Sequence, residues 1–243
     1  MEATVESCLQ TVISQEYKNV EHLFVDNCSS DGTVALIRKY QQKHPHIRLL
    51  TGKDQGIYDA INKGMDHSFG DWLFFLGADD TFCHDHLLSD LVAEGWFDQE
   101  TVVYGNVLIK GDAPWAKDGT VYDGPFTLEK LLQKNICHQA VFYPASVKTK
   151  IGHYSLKYPV TADWDYNLHC YSRYRFTYVD RIMTIFRTGG KSSGEDLFSF
   201  YREMPEKVIE YFNLDPADPT LLQINSPFYA IFKRYLNQKQ EAR

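Results

Sequence analysis

Cysteine is scarce in this chain and shows no pairing pattern. The 243 residues include five cysteines, an odd number, and no two of them have CxxC or metal-ligand spacing. A disulfide framework is therefore not expected, and the pattern indicates a reducing cytoplasm.

Long apolar runs and an excess of positive charge are missing as well. No stretch approaches the roughly 18 apolar residues of a membrane-spanning helix, and the first residues lack a basic and apolar signal region. Acidic residues outnumber basic ones, 32 against 25, which gives a formal net charge of −7. This balance argues against a nucleic-acid partner held by a basic surface. An anionic ligand would need a metal ion or a few well-placed cations.

The stretch that organises the chain is DWLFFLGADD, residues 71–80. Its apolar run predicts a strand buried on both faces, in the middle of a parallel sheet. Asp79 and Asp80 follow directly, and two neighbouring carboxylates repel each other unless a cation, donors or water compensates them. At the carboxyl end of a central strand, the favourable compensator is a divalent metal with a phosphate-bearing ligand. The alternative is a polar turn in which one of the two carboxylates caps the next helix.

Strands and helices alternate through the first half of the chain. Residues 2–15 predict an opening amphipathic helix with its apolar face at Val5, Cys8, Leu9, Val12 and Ile13. Strands are predicted at 21–26, 47–51 and 102–109, besides the central one, with amphipathic helices between them. This order predicts an α/β fold with a doubly wound, mostly parallel sheet. Asp26, Asp54 and the Asp79-Asp80 pair then fall at the same sheet edge, where such folds bind ligands. Chance is the alternative explanation, because Asp is common in turns.

The second half has a looser pattern. Residues 110–125 predict a surface loop or hairpin, and Thr127 is expected to cap a helix. Asp163 and Asp165 are expected near the start of another helix, and residues 175–187 alternate like an edge-like pair of strands. Residues 196–243 are expected to be helical. Their last segment, 227–243, has an apolar face that predicts packing on the parent domain or, alternatively, contact with a membrane surface or a partner.

Five blocks in this order carry a family resemblance: VDNCSSDGT, DQGIYDAINKG, GDWLFFLGADD, CHQAVFY and TADWDYNLH. From residue 2 to about 194 the chain resembles the inverting family 2 glycosyltransferases of the A-type fold, particularly bacterial members that assemble polysaccharides. The resemblance implies a glycosyltransferase A-type domain over 1–194. Its nucleotide half would span about 1–109 and its acceptor half about 110–194, followed by a helical extension over 195–243.

The implied reaction is transfer of a sugar from a nucleotide-diphosphate donor to an acceptor hydroxyl, with inversion at the anomeric carbon. The expected acceptor is a glycan or a lipid-linked molecule, and the expected location is the cytoplasm, at the inner face of the membrane. The resemblance implies Mn or Mg held through Asp80, while Asp79 shares the metal or lies over the ribose. Other positions match family blocks that face the donor or the acceptor pocket: Asp26, Asp54, Asn62, Lys63, His138, Gln139 and Arg187. Arg187 and the loop 189–193 are expected to close over the diphosphate.

Inversion needs a general base on the face opposite the leaving group. Asp163 matches the later acidic motif of the family and is the predicted base. Asp165 is the alternative, although its position near a helix start also fits a helix cap.

The sequence departs from the family pattern in two places. Family members usually have one more apolar strand before a segment like EATVESCLQ, and the given sequence starts without it. Either the start is misassigned or truncated, or the strand is missing, in which case the sheet would lose part of its core and one wall of the base pocket. Asn27 stands beside Asp26 where a second acidic residue is common. Two other functions stay open: a nucleotidyltransferase, which would usually carry a Gly-rich basic loop after its first strand, and a silent nucleotide- or glycan-binding module.

Overall fold

The computed structural model describes residues 2–113, 116–189 and 197–215. Its helices are α1 Glu2–Ile13, α2 Thr33–Gln41, α3 Ile57–His67, α4 Leu87–Ala93, α5 Leu128–Leu131, α6 Val147–Lys150, α7 Ala162–Tyr171 and α8 Leu197–Phe212, and a 3₁₀ turn covers His138–Ala140. Its strands are β1 His22–Asp26, β2 Ile47–Thr51, β3 Trp72–Phe74, β4 Thr81–Phe82, β5 Thr101–Lys110, β6 Val121–Tyr122, β7 Val141–Pro144 and β8 Arg175–Arg187. The chain is an α/β protein, which confirms the predicted fold class.

The strands form two sheets. Strands β1 and β2 pair in parallel as a two-stranded sheet, and the other six strands form a sheet of order β3-β7-β5-β8-β4 with β6 paired to β5. Within the larger sheet β5 and β8 are parallel, whereas the other pairs are antiparallel. The larger sheet is therefore mixed, which corrects the predicted mostly parallel pairing while the α/β class stands.

The central stretch behaves differently from its prediction. Strand β3 has three residues and pairs antiparallel with β7, so its expected place in the middle of a parallel sheet is wrong. Leu73 is buried, but Trp72 and Phe74 are only partly buried. An apolar run predicts that a strand is buried, but it does not predict whether the neighbouring strand runs parallel or antiparallel to it. The turn to Asp79 and Asp80 nevertheless follows the strand as expected.

Strand β8 also differs from its prediction. Residues 175–187 form one continuous strand between β5 and β4, not an edge-like pair of strands. Its register with β5 shifts on both sides of Asn106, which marks an irregularity in the ladder. This long strand carries the chain from the end of α7 back to the Asp80 turn.

The N-terminal helices pack as their periodicity predicts. The expected buried face of α1 is buried at Val5, Cys8, Leu9 and Val12. Val5 and Leu9 join Ile37 of α2 and Ile47 of β2 in one apolar cluster. Apolar burial at helical spacing thus fixes α1 and α2 on the two-stranded sheet.

Helix α8 lies against α7 in the larger core. Phe200, Met204 and Val208 of α8 are buried in a cluster that contains Trp164 and Leu168 of α7. A helix is therefore present where the expected C-terminal helical extension begins, and the extension as a separate unit stays a prediction. Its segment 227–243, predicted to pack or to contact a membrane, lies outside the described residues. Within the part of the chain that the structure describes, no helix has the length and apolar character needed to cross a bilayer.

His22 makes the fold sensitive to acid. Its Nδ1 atom is buried at the start of β1 and has no hydrogen-bond partner among the described residues. Burial together with nearby His46 lowers the pKa of His22 from 6.5 to about 3. The folded state therefore disfavours the charged imidazole. Its contribution to stability is complete above pH 6.5 and is lost progressively as the pH falls toward about 3.

We expect His22→Leu to weaken this acid dependence. Between pH 6.5 and 4.5, the free energy of unfolding of the variant should fall less steeply than that of the parent, by up to about 1.4 kcal/mol per pH unit. Urea unfolding at a series of pH values measures the difference. His84→Leu is the matched control, because His84 is exposed. Parallel curves for the parent and His22→Leu would contradict the prediction.

Candidate active site

A tight turn brings the two neighbouring carboxylates together. The Asp80 N–H donates to the Gly77 carbonyl over 3.0 Å, which closes the turn after β3. A Cβ atom on Gly77 would lie 2.5 Å from Asp80 Oδ2 and 3.0 Å from Asp79 Oδ1. Only glycine leaves room for both oxygens at this point. The two carboxylates therefore converge on one small region.

Asp80 is the more deeply buried of the two, with 1% of its surface exposed. Burial raises the pKa of Asp80 from 3.8 to about 6. The Arg187 backbone N–H donates to Asp80 Oδ1 over 2.9 Å and partly offsets this rise. Asp79 raises the pKa further, whereas His138 and a hydrogen bond from Gln139 lower it. A carboxylate that is costly to charge is suited to binding a cation.

The chemistry of these oxygens fits a hard divalent metal. Asp80 Oδ1 accepts from the Arg187 N–H, and Asp80 Oδ2 and Asp79 Oδ1 both lie close to Gly77. Mg²⁺ is usually bound through one or two carboxylates plus substrate phosphates, and not by a cage of protein ligands alone. In keeping with this, no group of three or more His, Cys, Asp or Glu side chains suited to a metal occurs among the described residues. The pair fits Mg or Mn held jointly with a phosphate-bearing ligand.

The ends of β1 and β2 meet through side chains. Asn27 Nδ2 donates to Asp54 Oδ1 over 2.9 Å, and the Asp54 N–H donates to Asn27 Oδ1 over 3.0 Å. Asp26 is buried at the end of β1 and accepts from the Ser29 N–H. An acidic residue at position 27 would face Asp54 with like charge. The amide at position 27 thus suits its contact with Asp54, which the sequence did not indicate.

The turn that carries Asp79 adjoins this sheet. Ala78 packs against the apolar cluster that contains Phe24 of β1 and Leu49 of β2. The Asp79 turn therefore packs on the small sheet whose strands lead to Asp26 and Asp54. The common edge expected for these acidic residues and their contact with a nucleotide stay predictions.

Asn62 and Lys63 make contacts within the protein. The Asn62 amide donates to the Tyr154 carbonyl over 2.9 Å and accepts from the Tyr154 N–H over 2.8 Å. Lys63 Nζ donates to the Lys53 carbonyl and to Asp59. Asn62 therefore ties α3 to the segment before α7, and Lys63 ties α3 to the loop that precedes it. A donor contact at either residue stays a prediction.

Asp163 lies at the centre of a second polar cluster, in the first turn of α7. Its Oδ1 accepts from the Tyr58 hydroxyl over 2.9 Å and from the Trp164 N–H over 3.0 Å. Its Oδ2 lies 3.1 Å from His138 Nδ1. Since a carboxylate only accepts, Nδ1 carries the hydrogen in this contact. The carboxylate is held by three donors from three parts of the chain.

Asp165 faces a different neighbour. It is buried, and its Oδ1 accepts from the Tyr211 hydroxyl of α8 over 2.8 Å. Burial raises the pKa of Asp165 above its usual value. Asp163 contacts His138, while Asp165 fastens α7 to α8. This geometry favours Asp163 as the base, although the assignment itself stays a prediction.

His138, Gln139 and Arg187 connect the two clusters. His138 contacts Asp163, and the adjoining Gln139 hydrogen bonds to Asp80. The Gln139 carbonyl accepts from Thr184 of β8, which fixes the turn on the sheet. The Arg187 backbone holds Asp80, and among the described residues no carboxylate forms an ion pair with its guanidinium. The expected closing loop 189–193 lies outside the described residues from residue 190 onward.

Tyr58 is the site residue that sequence reasoning missed. Its place four residues before Asn62 indicated only that it could meet something outside the core. Its partners Val160 and Asp163 lie 102 and 105 positions further along the chain. Such a distance in sequence gives no local signal.

Comparisons with known proteins agree with this architecture. The sequence model described as "Glycosyl transferase family 2" matches residues 2–151. A PGL/p-HBAD biosynthesis glycosyltransferase of Mycobacterium bovis is 37% identical over 177 residues, which cover 70% of this chain and 65% of that protein. The same description and identity hold for a Mycobacterium tuberculosis protein. The chain thus spans 65% of the length of these curated relatives.

Solved structures show the same fold at low identity. The crystal structure of S. aureus TarS 1–349 matches with a TM-score of 0.72 and 16% identity, over 95% of this chain and 67% of that one. Its complex with UDP-GlcNAc gives a TM-score of 0.69 at 16% identity, over 98% and 78% of the two chains. The mannosyltransferase PcManGT from Pyrobaculum calidifontis, in complex with GDP-Man and Mn2+, gives 0.58 at 14% identity, over 97% and 66%. These matches confirm the predicted A-type fold.

Proposed function

The chain belongs to glycosyl transferase family 2, and from this we propose that it transfers a sugar from a nucleotide-diphosphate donor to an acceptor hydroxyl, with inversion. The observation that carries the proposal is the pair of polar clusters joined by the 138–139 turn. One cluster presents two convergent carboxylates, and the other presents a single oriented carboxylate. Donor activation and acceptor deprotonation require such an arrangement.

Asp80 and Asp79 are proposed to hold Mn or Mg with the donor diphosphate. When bound, the ion supplies positive charge that stabilises the leaving nucleoside diphosphate. Asp80 is held for this task by the Arg187 N–H and by Gln139. The Arg187 guanidinium is proposed to bind the same diphosphate. Structural neighbours solved with UDP-GlcNAc, and with GDP-Man and Mn2+, support a nucleotide-sugar donor.

Asp163 is proposed as the general base. Its Oδ1 accepts two hydrogen bonds, and its Oδ2 accepts one, from His138. Oδ2 therefore retains a second lone pair that can take a proton. The acceptor O–H would give its proton to Oδ2 while its oxygen bonds the anomeric carbon. The bond from that carbon to the phosphate oxygen breaks in the same step, and the nucleoside diphosphate leaves. His138 keeps Oδ2 oriented through its Nδ1.

The remaining contacts of the donor are proposed to come from the nucleotide half, 1–109. Asp26 and Asp54 would face the nucleoside, with Asn62 and Lys63 near the donor phosphate or sugar. The acceptor half would span 110–194 and carry His138. Relatives named for PGL/p-HBAD biosynthesis support a glycan or lipid-linked acceptor.

Calorimetry tests the proposal on the chain itself. UDP and GDP are titrated with and without Mn²⁺, and one of them is expected to bind in a metal-dependent way. Release of that nucleoside diphosphate from its sugar nucleotide, accelerated by p-nitrophenyl glycosides as acceptors, is the second readout. Pyrophosphate release would indicate a nucleotidyltransferase instead, and binding without any release would indicate a silent module. Absence of binding by both nucleotides in Mn²⁺ would contradict the proposal.

A further inference from the structure

The hydroxyl of Tyr58 lies between two acceptors. Tyr58 is the second residue of α3, just after the Asp54 loop, and 6% of its surface is exposed. Its oxygen is 2.7 Å from the Val160 carbonyl and 2.9 Å from Asp163 Oδ1. Its ring stacks on Tyr154 with centroids 5.7 Å apart and planes 12° from parallel. The ring is thus fixed, while the hydroxyl proton can point to either the Val160 carbonyl or Asp163 Oδ1.

A phenol has one proton, so it donates fully to one of these oxygens at a time. An ionised carboxylate is the stronger acceptor, because a charge-assisted hydrogen bond is about twice as strong as a neutral one. The proton therefore points to Asp163 while that residue is charged. Once Asp163 is protonated the preference disappears, and the Val160 carbonyl is already within reach. Neither state leaves the buried hydroxyl without a partner.

We propose that Tyr58 is a positioning residue for sugar transfer, which holds the charged Asp163 through Oδ1 and turns its hydroxyl proton to Val160 when Asp163 takes the acceptor's proton. This inference rests on the proposed role of Asp163 as base. The transferred proton goes from the acceptor oxygen to Asp163 Oδ2, and the hydroxyl of Tyr58 only changes its acceptor. Tyr58 also comes from the nucleotide half, so it links the loop at Asp54 to the base.

Several titratable groups face Asp163 from the elements packed against it: Tyr58, Tyr122, Cys137, His138, Tyr143 and Tyr154. Burial raises the pKa of the five phenol and thiol groups, so they stay neutral near pH 7. Only His138 among them bears on the charge near Asp163. A test must therefore follow Asp163 directly and separately from His138.

The test is the ¹³C NMR chemical shift of the Asp163 carboxyl in the full chain at pH 7, assigned by its loss in Asp163→Asn. Tyr58→Phe keeps the ring and its stacking but removes the donor. Because this donor contacts Oδ1 directly, the carboxyl signal of Asp163 is expected to shift in this variant. Transfer should slow on the order of tenfold in kcat, with little change in KM for the donor.

Tyr166→Phe is the matched control. Tyr166 lies on α7 itself, and its hydroxyl donates to the Gly152 carbonyl over 3.2 Å and not to Asp163. It should leave both the carboxyl signal of Asp163 and kcat unchanged. An unchanged Asp163 carboxyl signal in Tyr58→Phe, or an unchanged kcat, overturns the inference. Full transfer activity in Asp163→Asn would instead overturn the role of Asp163, and the carboxyl signal separates that failure from a missing Tyr58 contact.

Discussion

Asp163→Asn is expected to lower kcat for sugar transfer by about a thousandfold, the usual contribution of a general base. The variant keeps an oxygen that can accept from Tyr58 and Trp164, so the cluster should stay in place. It cannot take a proton from the acceptor hydroxyl. Donor binding should be unchanged, because the carboxylates proposed to hold the diphosphate belong to the other cluster.

Asp165→Asn is the matched control for this prediction. Asp165 carries the same charge two residues away, yet its partner is Tyr211 of α8. An amide oxygen can still accept that hydrogen bond. We expect kcat to stay within a fewfold of the parent and any effect to appear in thermal stability. The two variants are compared by nucleoside diphosphate release and by calorimetry of the nucleotide. The reverse result, with transfer lost only in Asp165→Asn, would make Asp165 the base.

The sequence predicted those features that depend on local pattern. Apolar spacing identified the buried face of α1 and the apolar character of β3, and turn carboxylates marked the ends of β1, β2 and β3. Thr127 caps α5 as expected, since its side chain accepts from the Lys130 N–H. Each of these depends on residues within a few positions of one another.

Features set by distant contacts could not be predicted in this way. The antiparallel partner of β3 is β7, and the apolar run of β3 is equally compatible with a parallel neighbour. The separate tasks of Asp163 and Asp165 depend on which helix faces each side of α7. The same limit applies to Tyr58, whose partners lie in the other half of the chain. Long-range packing therefore decided the details of the site.

Asp80→Asn is expected to weaken metal-dependent nucleotide binding by at least about thirtyfold, the equivalent of about 2 kcal/mol for one partner of a buried charge pair. Asp80 is the most buried carboxylate of the site and shares its oxygen-lined region with Asp79. An amide offers a neutral oxygen, which a hard divalent cation binds less strongly than a carboxylate. Calorimetry of the nucleotide with and without Mn²⁺ measures the loss.

The thermal stability of the variant distinguishes a loss of nucleotide binding from a loss of folding. Without metal, the parent buries a charge that burial and Asp79 both disfavour, as the raised pKa of about 6 for Asp80 shows. Asp80→Asn removes that charge and keeps an acceptor for the Arg187 N–H, so the metal-free variant should unfold at no lower temperature than the parent.

Asp71→Asn is the matched control, because it removes an equal charge from an exposed position before β3 and should bind the nucleotide as the parent does. Weak binding in a variant of undiminished stability would mean that Asp80 serves the ligand and not the fold. Unchanged metal-dependent binding in Asp80→Asn would instead place the metal elsewhere, and the convergence of two carboxylates beside Gly77 would then need another cause.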